Sequence, residues 1–246
     1  MNKNLIFITA IEGLVDTSCV EYCVKTWNYW ANKNNADVIV FNQSLGDPSY
    51  FKPTWQRWYI WKILKENNLD YDKVALVDSD TMIRWDSPNL FENINLNEIG
   101  VCSDNDNINW TKKSIDGYKK FFNKTELDWT EYFNAGFVII GKEQQTSCEK
   151  IINFFEKNQK ELINLEDVTL GKGTDQTPVN FILKSEGCLK FLNKKWNVTH
   201  MNRKEILNDF FFIDCGYVWH FNGFDKSHRT PLMGQTWNII KKNYEN

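Results

Sequence analysis

Two aspartates separated by one residue follow a short apolar run in the first third of the chain. Asp78-Ser79-Asp80 comes directly after Val74-Ala75-Leu76-Val77, a pattern typical of a strand buried on both faces. Alternate side chains of extended backbone point the same way, so the two carboxylates would repel each other unless a cation or a shared proton stabilised them. Oxygen ligands of this kind suit Mg²⁺ or Mn²⁺. Capping and turn chemistry is the alternative interpretation.

A histidine near the C-terminus could complete such a site. His220 lies between Trp219 and Phe221, and two carboxylates with one imidazole suit Mn²⁺ better than Ca²⁺. A hydrogen-bonded core histidine is the alternative in that context. Further on, Gly223 would let the backbone approach a diphosphate closely, and Lys226 would place a cation on it. Lys226 taken alone is equally consistent with a solvated surface charge.

The elements that must position these residues alternate between strands and helices. Apolar runs at residues 5–8 and 38–41 predict strands, and residues 17–34 between them have helical spacing. Further strands are expected at residues 74–77, 99–102, 137–140 and 217–219, and further helices at residues 53–64, 143–155 and 177–183. This order predicts an α/β fold with a mostly parallel central sheet flanked by helices.

Two segments do not follow this alternation. Residues 103–131 are polar and weakly periodic, and are expected as an excursion that leaves the end of a predicted strand, where open α/β folds bind ligands. Trp110 and Trp129 lie in this excursion, and no periodic pattern explains either of them. Residues 227–246 are expected as a C-terminal tail of a single domain that spans residues 1–246.

Composition excludes several classes of protein. The 246 residues are 42% hydrophobic, which predicts a globular core, and the net charge of -3 without basic clusters argues against binding to nucleic acid. The apolar stretch at residues 5–11 is too short for a membrane span or a signal-peptide core, so no integral membrane segment and a cytoplasmic location are expected. The six cysteines form no CxxC pair, which argues against a zinc knuckle.

The string Asp78-Ser79-Asp80-Thr81 also fits the pattern of a phosphatase with an aspartyl nucleophile. In that fold the motif normally follows the first strand, whereas two βα units precede Asp78 here. Such a phosphatase also needs a later pair of acidic residues to complete its metal site. The best candidates here are Asp209 and Asp214, and the residues between them are apolar. A metal-dependent phosphohydrolase and a catalytically silent binder of a nucleotide or sugar are kept as alternative functions.

Four later segments, taken in chain order, narrow the interpretation. They are Asn134-Ala135-Gly136, the stretch 175–180, Lys195-Trp196-Asn197 and the stretch 220–226. Together with the aspartates they resemble the nucleotide-sugar glycosyltransferases of the GT-A fold. The resemblance is closest to the retaining family 8 group that includes glycogenin and bacterial lipopolysaccharide galactosyltransferases, with family 34 second. It implies a single GT-A (Rossmann-like) domain that moves a hexose from a UDP-sugar to a carbohydrate or other hydroxyl acceptor, with a GDP-sugar as the alternative donor.

The resemblance also assigns the chemistry to residues. It implies that Asp78, Asp80 and His220 bind Mn²⁺ or Mg²⁺, which would stabilise the departing diphosphate. Asp175 and Gln176 are the implied catalytic residues, because a carboxylate or amide near the opposite face of the sugar can stabilise an oxocarbenium-like centre or orient donor hydroxyls. A helix N-terminal charge is the alternative for Asp175.

The donor-binding residues implied by the resemblance form a longer set. They are Thr9, Ala10, Arg57, Lys62, Asp78, Ser79, Asp80, Asn134, Ala135, Gly136, Asn222, Gly223 and Lys226. Arg57 and Lys62 are alternatives for one basic contact, and Asp104 matches a position that often contacts the acceptor. The excursion at residues 103–131 is accordingly expected on the acceptor side, with Trp110 and Trp129 as candidates for contact with the acceptor. The chain departs from the family pattern at Lys226-Ser227-His228, where many members have Lys-Pro-Trp.

Overall fold

The structure is a computed structural model and describes most of the chain. The described residues are 3–11, 17–47, 50–104, 107–171, 174–199 and 201–245. Within these ranges, no helix has the length and apolar character needed to cross a membrane.

Strands and helices alternate through most of the chain. The strands are β1 (Asn4–Thr9), β2 (Ala36–Phe41), β3 (Lys73–Asp78), β4 (Thr81–Ile83), β5 (Ile99–Ser103), β6 (Phe133–Gly141), β7 (Leu189–Phe191) and β8 (Val218–His220). The helices are α1 (Val20–Lys33), α2 (Pro53–Gln56), α3 (Ile60–Glu66), α4 (Ile108–Tyr118), α5 (Gln145–Asn164), α6 (Gln176–Glu186), α7 (Lys204–Leu207), α8 (Phe212–Cys215) and α9 (Lys226–Ile240).

The central sheet has the strand order β2-β1-β3-β6-β5-β7. β1 pairs in parallel with β2 and β3, and β5 pairs in parallel with β7. β6 runs antiparallel to both β3 and β5, a reversal that the apolar pattern of its sequence does not indicate. The predicted mostly parallel α/β sheet is therefore confirmed, with one reversed strand near its centre. A second, two-stranded sheet pairs β4 with β8.

Both faces of the central sheet are buried, as the continuous apolar runs require. On one face, α1 packs Cys23, Trp27, Trp30 and Ala31, which recur at helical spacing, against alternate residues of β1, β3 and β6. The intervening residues of the same strands pack on the other face against the aromatic segment 55–61 and the helices α5 and α6. The central strands are therefore packed on both faces.

The structure differs from two expectations about less regular segments. Residues 108–118 of the expected excursion form α4, which the side chain of Asn107 caps by accepting a hydrogen bond from the Trp110 amide. The buried face of α4 includes Thr111 and Ser114, so its hydrophobic periodicity is weak. The expected tail forms α9, which packs Met233 and Ile240 into a third apolar cluster with residues of β4 and β8.

Candidate active site

The candidate site lies at the edge of the sheet where β1 and β3 end. Thr9 is paired with Asp78, so both side chains belong to this carboxyl edge. Because β6 is reversed, its first residues reach the same edge: Val77 pairs with Phe137, which places Asn134 and Gly136 beside the end of β3. Open α/β sheets bind ligands at this edge.

Asp78, Asp80 and His220 converge there. Asp78 ends β3 and Asp80 lies in the following turn, while His220 ends β8 and pairs with Thr81. The Nε2 atom of His220 lies 3.1 Å from Oδ1 of Asp80 and 3.7 Å from Oδ2 of Asp78. One ligand atom from each of the three residues lies within 4.8 Å of the others. Two carboxylate oxygens and one imidazole nitrogen at this spacing fit a divalent cation such as Mn²⁺.

A glycine of β6 keeps space beside these groups. A Cβ atom added at Gly136 would clash with Oδ2 of Asp78 and would lie 2.5 Å from Cε1 of His220. Its backbone N–H donates to Oδ1 of Asn134 at 3.0 Å. The donor set and this close approach of the β6 backbone are both consistent with a small cation bound at the edge of the sheet.

Two arginines bind the outer oxygens of the two carboxylates. Nη1 of Arg57 lies 2.6 Å from Oδ1 of Asp78, and Nε of Arg229 lies 3.4 Å from Oδ2 of Asp80. The other oxygen of each carboxylate is the one nearest to His220. Burial alone would raise the pKa of Asp80, but the charge of His220, its hydrogen bond and the charge of Arg229 lower it. Each carboxylate therefore has one oxygen bound by an arginine and the other directed towards His220.

A chain of buried amides determines which nitrogen of His220 faces the carboxylates. Oδ1 of Asn134 must be an acceptor, because the Gly136 N–H can only donate to it. Nδ2 of Asn197 donates to the same oxygen at 3.1 Å, which leaves Oδ1 of Asn197 as the acceptor for Nδ1–H of His220 at 3.0 Å. In the neutral imidazole, Nε2 then carries the lone pair that a metal ion requires.

Asp175 stabilises the site through buried hydrogen bonds. It has no exposed surface, and its carboxylate accepts hydrogen bonds from Arg57, the shortest at 3.0 Å, and from Nε1 of Trp58 at 2.7 Å. It occupies the cap position of α6 without capping it through its side chain. Asp175 and Asp78 raise the pKa of Arg57 against the opposing effect of burial, so this guanidinium stays charged.

Gln176 belongs to a second group of polar side chains next to the metal ligands. Its Nε2 donates to Oδ2 of Asp104 at 2.9 Å, and its Oε1 accepts from the Ala135 backbone at 3.1 Å and from Nδ2 of Asn134 at 3.3 Å. Because Asn134 also lies in the amide chain to His220, the two groups form one network. Gln176 is only partly buried, so substrate can reach it.

The basic residue that contacts Asp78 is Arg57. Lys62 is exposed and lines a groove with Gln145 and Glu149 of α5, away from the carboxylates. The two positions are five residues apart, which corresponds to about 140° around a helix, so they face different directions. Of the two alternatives, the structure therefore brings Arg57 and not Lys62 to the carboxylates.

The other expected donor-binding residues occupy the borders of the site. Ser79 is buried in the turn between the two aspartates, and Ala10 is buried just after β1. Oγ1 of Thr9 and Oδ1 of Asn222 are buried, and no described residue hydrogen-bonds to either atom. Gly223 has a φ of 77°, a conformation that glycine adopts without strain, and Lys226 is exposed at the start of α9.

Trp110 and Trp129 are half-buried against the main core, which explains their aromatic character without an acceptor.

Sequence reasoning did not assign a role to Asn197 or Arg229. Asn197 lies in the segment Lys195-Trp196-Asn197 that carried part of the resemblance, so its position was marked although its role was not. Arg229 lies one turn after Lys226 in a helix that was expected to be a tail.

Comparison with known proteins agrees with this architecture. The structure matches a glycosyltransferase involved in glycosylation of the major capsid of PBCV-1 (TM-score 0.58, 12% identity, 94% of this chain and 98% of that chain). It also matches the galactosyltransferase LgtC, solved with donor and acceptor sugar analogues (0.54, 16%, 96% and 99%). A third match is the glycosyltransferase GlyE of Streptococcus pneumoniae TIGR4 (0.55, 14%, 99% and 63%). No curated protein sequence matches the chain.

The sheet and its carboxyl edge have the GT-A fold of these glycosyltransferases. The model of glycosyl transferase family 8 matches residues 17–229, which is most of the chain. The protein therefore belongs to glycosyl transferase family 8.

Proposed function

We propose that this glycosyltransferase is metal-dependent and transfers a hexose from a UDP-sugar to an acceptor hydroxyl with retention of configuration. The observation that supports this most directly is the convergence of Asp78, Asp80 and His220 at the edge of the sheet. The relatives found by comparison favour a sugar donor, and the mixed carboxylate and imidazole ligand set favours Mn²⁺ over Ca²⁺. The acceptor is proposed to be a carbohydrate or another hydroxyl compound.

Breaking the bond between the anomeric carbon and a nucleoside diphosphate leaves negative charge on the diphosphate and positive charge on the sugar. A divalent cation held by the two aspartates and the histidine supplies Lewis-acid stabilisation of the diphosphate. Lys226 adds a cation on the same side, and Gly223 allows the backbone to approach the phosphates. Thr9, Ala10, Ser79 and Asn222 are proposed to complete the donor site.

Gln176 is the residue we propose to act at the sugar, because it is accessible and its amide orientation is fixed by Asp104 and by the backbone of Ala135. Asp175 is fully buried, so its proposed contribution is to position Arg57. Asp104 has one carboxylate oxygen bound to Gln176, and we propose that it contacts the acceptor hydroxyl near the sugar. Asn134 positions His220 through Asn197, and Gly136 leaves room for Asp78 and His220.

The test is a panel of UDP- and GDP-sugars incubated with the protein and Mn²⁺, with release of the nucleoside diphosphate as the readout. Donor hydrolysis does not require the acceptor to be known. We expect release from a UDP-hexose that stops when a chelator is added. Release of phosphate from simple phosphoesters would favour a phosphohydrolase, and Mn²⁺-dependent UDP binding without any turnover would favour a silent binder.

A cytoplasmic location is part of the proposal. No disulfide bond joins any of the six cysteines, and five of them are buried, which favours a reducing compartment.

A further inference from the structure

Arg229 joins two parts of the site that are far apart in sequence. It lies in the first turn of α9, and its side chain is 21% exposed. Besides its 3.4 Å contact with Oδ2 of Asp80, its Nε donates to the carbonyl oxygen of Phe221 at 3.2 Å, and its Nη2 donates to that of Phe224 at 2.9 Å. One guanidinium thus binds the turn after β3 and the loop after β8.

The loop at residues 221–225 needs such support. It contains Gly223, which has a positive φ and, as a glycine, can adopt other backbone conformations at little cost. It also contains Asn222, whose buried Oδ1 has no hydrogen-bond partner among the described residues. Its other tie to the metal ligands is the hydrogen bond from the Phe221 N–H to the carbonyl oxygen of Asp80 at 2.9 Å. Without Arg229, this backbone bond would be the remaining polar contact between the loop and the turn in the described part of the chain, beside the packing of Phe221 and Phe224 in the third apolar cluster.

We propose that Arg229 is a positioning residue that holds Asp80 and the loop 221–225 in one arrangement, so that the metal ligand and the diphosphate-binding loop move as a unit. The identity of the loop's ligand rests on the proposed function. Arginine suits this role because its planar fork presents several donors in fixed directions. Lysine would keep a charge near Asp80 but could not bind all three oxygens at once.

The first test uses the full-length protein without metal or nucleotide, so it does not depend on the proposed function. Hydrogen exchange of the backbone is compared among the wild type, Arg229→Met, Arg229→Lys and the control Arg84→Met. Arg84 is a matched control because it is 20% exposed and pairs with Asp86, a residue outside the site. We expect peptides covering residues 218–226 to exchange about tenfold faster in Arg229→Met, with unchanged exchange in Arg84→Met.

The second test measures binding of UDP in the presence of Mn²⁺ by calorimetry, with circular dichroism to check the fold. We expect Arg229→Met to raise the Kd about tenfold, which equals about 1.4 kcal/mol, and Arg229→Lys to recover part of this loss. Arg84→Met should bind as the wild type does. If Arg229→Met does not fold, Arg229→Lys is compared with the wild type instead, because lysine keeps the positive charge and loses only the planar guanidinium group.

The outcomes of the two tests separate the two proposals. Exchange in both Arg229 variants equal to that of the wild type would overturn the positioning role. Wild-type affinity in those variants would also overturn it, even with faster exchange, because binding would then not need the fixed loop. If the wild type itself binds no UDP with Mn²⁺, the proposed function fails, and the exchange experiment still decides the role of Arg229.

Discussion

The charged side chains of the site balance each other almost completely. The carboxylates of Asp78, Asp80 and Asp175 lie against the guanidinium groups of Arg57 and Arg229, so these five side chains carry one net negative charge when His220 has the neutral form that binds a metal ion. A divalent cation would reverse that sign and make the site attractive to a diphosphate. The charge balance therefore predicts that the metal ion binds before the nucleotide and is needed for tight nucleotide binding.

We expect Asp80→Asn and His220→Ala each to weaken Mn²⁺-dependent UDP binding at least tenfold, because each removes one of three ligand atoms. The measurement is titration calorimetry with UDP at a fixed Mn²⁺ concentration. Asp70→Asn is the control, since Asp70 is 76% exposed and pairs with Lys142 outside the site. Unchanged affinity in either site variant would remove that residue from the metal site.

Asn197 is expected to affect metal binding without touching the ion. Asn197→Ala removes the acceptor for Nδ1–H of His220, so the imidazole loses the contact that fixes its tautomer. We expect a loss of Mn²⁺ affinity of about 10- to 100-fold, which is typical for partners of metal-bound histidines. Nitrogen chemical shifts of His220 in the metal-free protein would report the tautomer. A tautomer and an affinity equal to those of the wild type would contradict the argument.

At the scale of elements, the reversed strand β6 is what brings the site together. A parallel strand in its place would put Asn134 and Gly136 at the opposite edge of the sheet from Asp78. The close contact at Gly136 also depends on β8, which places His220 against the start of β6. Strand direction thus decides which residues of the motif can meet.

Gly136→Ala tests this close approach. The added Cβ would clash with Asp78 and His220, so we expect at least a tenfold loss of Mn²⁺-dependent UDP binding and about 1–3 kcal/mol of lost stability from overpacking. The control is Gly117→Ala in α4, where the nearest atom to an added Cβ is a Leu170 side-chain carbon at 3.3 Å. That variant should bind UDP normally. Normal binding by Gly136→Ala would show that the strand can shift at no cost.

The sequence predicts the elements better than it predicts their arrangement. Apolar runs reveal β1 and β3 because they are buried on both faces, and they place Asp78 at the end of a strand. They cannot reveal the direction of β6, since a run buried on both faces looks the same in either direction. α4 was missed because buried threonine and serine replace aliphatic residues on its inner face.

The site is predictable where several residues form a motif and not where one residue acts alone. Asp78 and Asp80 were recognised because paired carboxylates after a buried strand suit a metal ion, and the resemblance to the glycosyltransferases added His220 to them. Arg229 is a single polar residue in a segment expected to be a tail, and only the packing of α9 brings it to Asp80. The choice between Arg57 and Lys62 likewise required the actual course of the chain between α2 and α3.

At the scale of the whole molecule, the site joins distant parts of the chain. Its ligands come from β3, the turn after it and β8, while its supporting side chains come from the segment before α3, from β6, from the start of α6 and from α9. A ligand that binds this edge therefore stabilises elements from both sides of the sheet at once. Binding should raise the stability of the entire fold, since the unfolded chain has no such site.

Thermal unfolding with and without ligands gives the corresponding prediction. At ligand concentrations of 100 times the Kd, linkage adds about 2.7 kcal/mol, which in a chain of this size raises the Tm by about 5–10 °C. We expect this shift with Mn²⁺ and UDP together, a much smaller one with UDP alone, and its loss when a chelator removes the metal. At the same ligand concentrations Asp80→Asn, whose Kd is expected to be at least tenfold higher, should show at most about half of this shift. A full shift with UDP and chelator would mean that the nucleotide binds without a metal ion, and the charge argument for this site would be wrong.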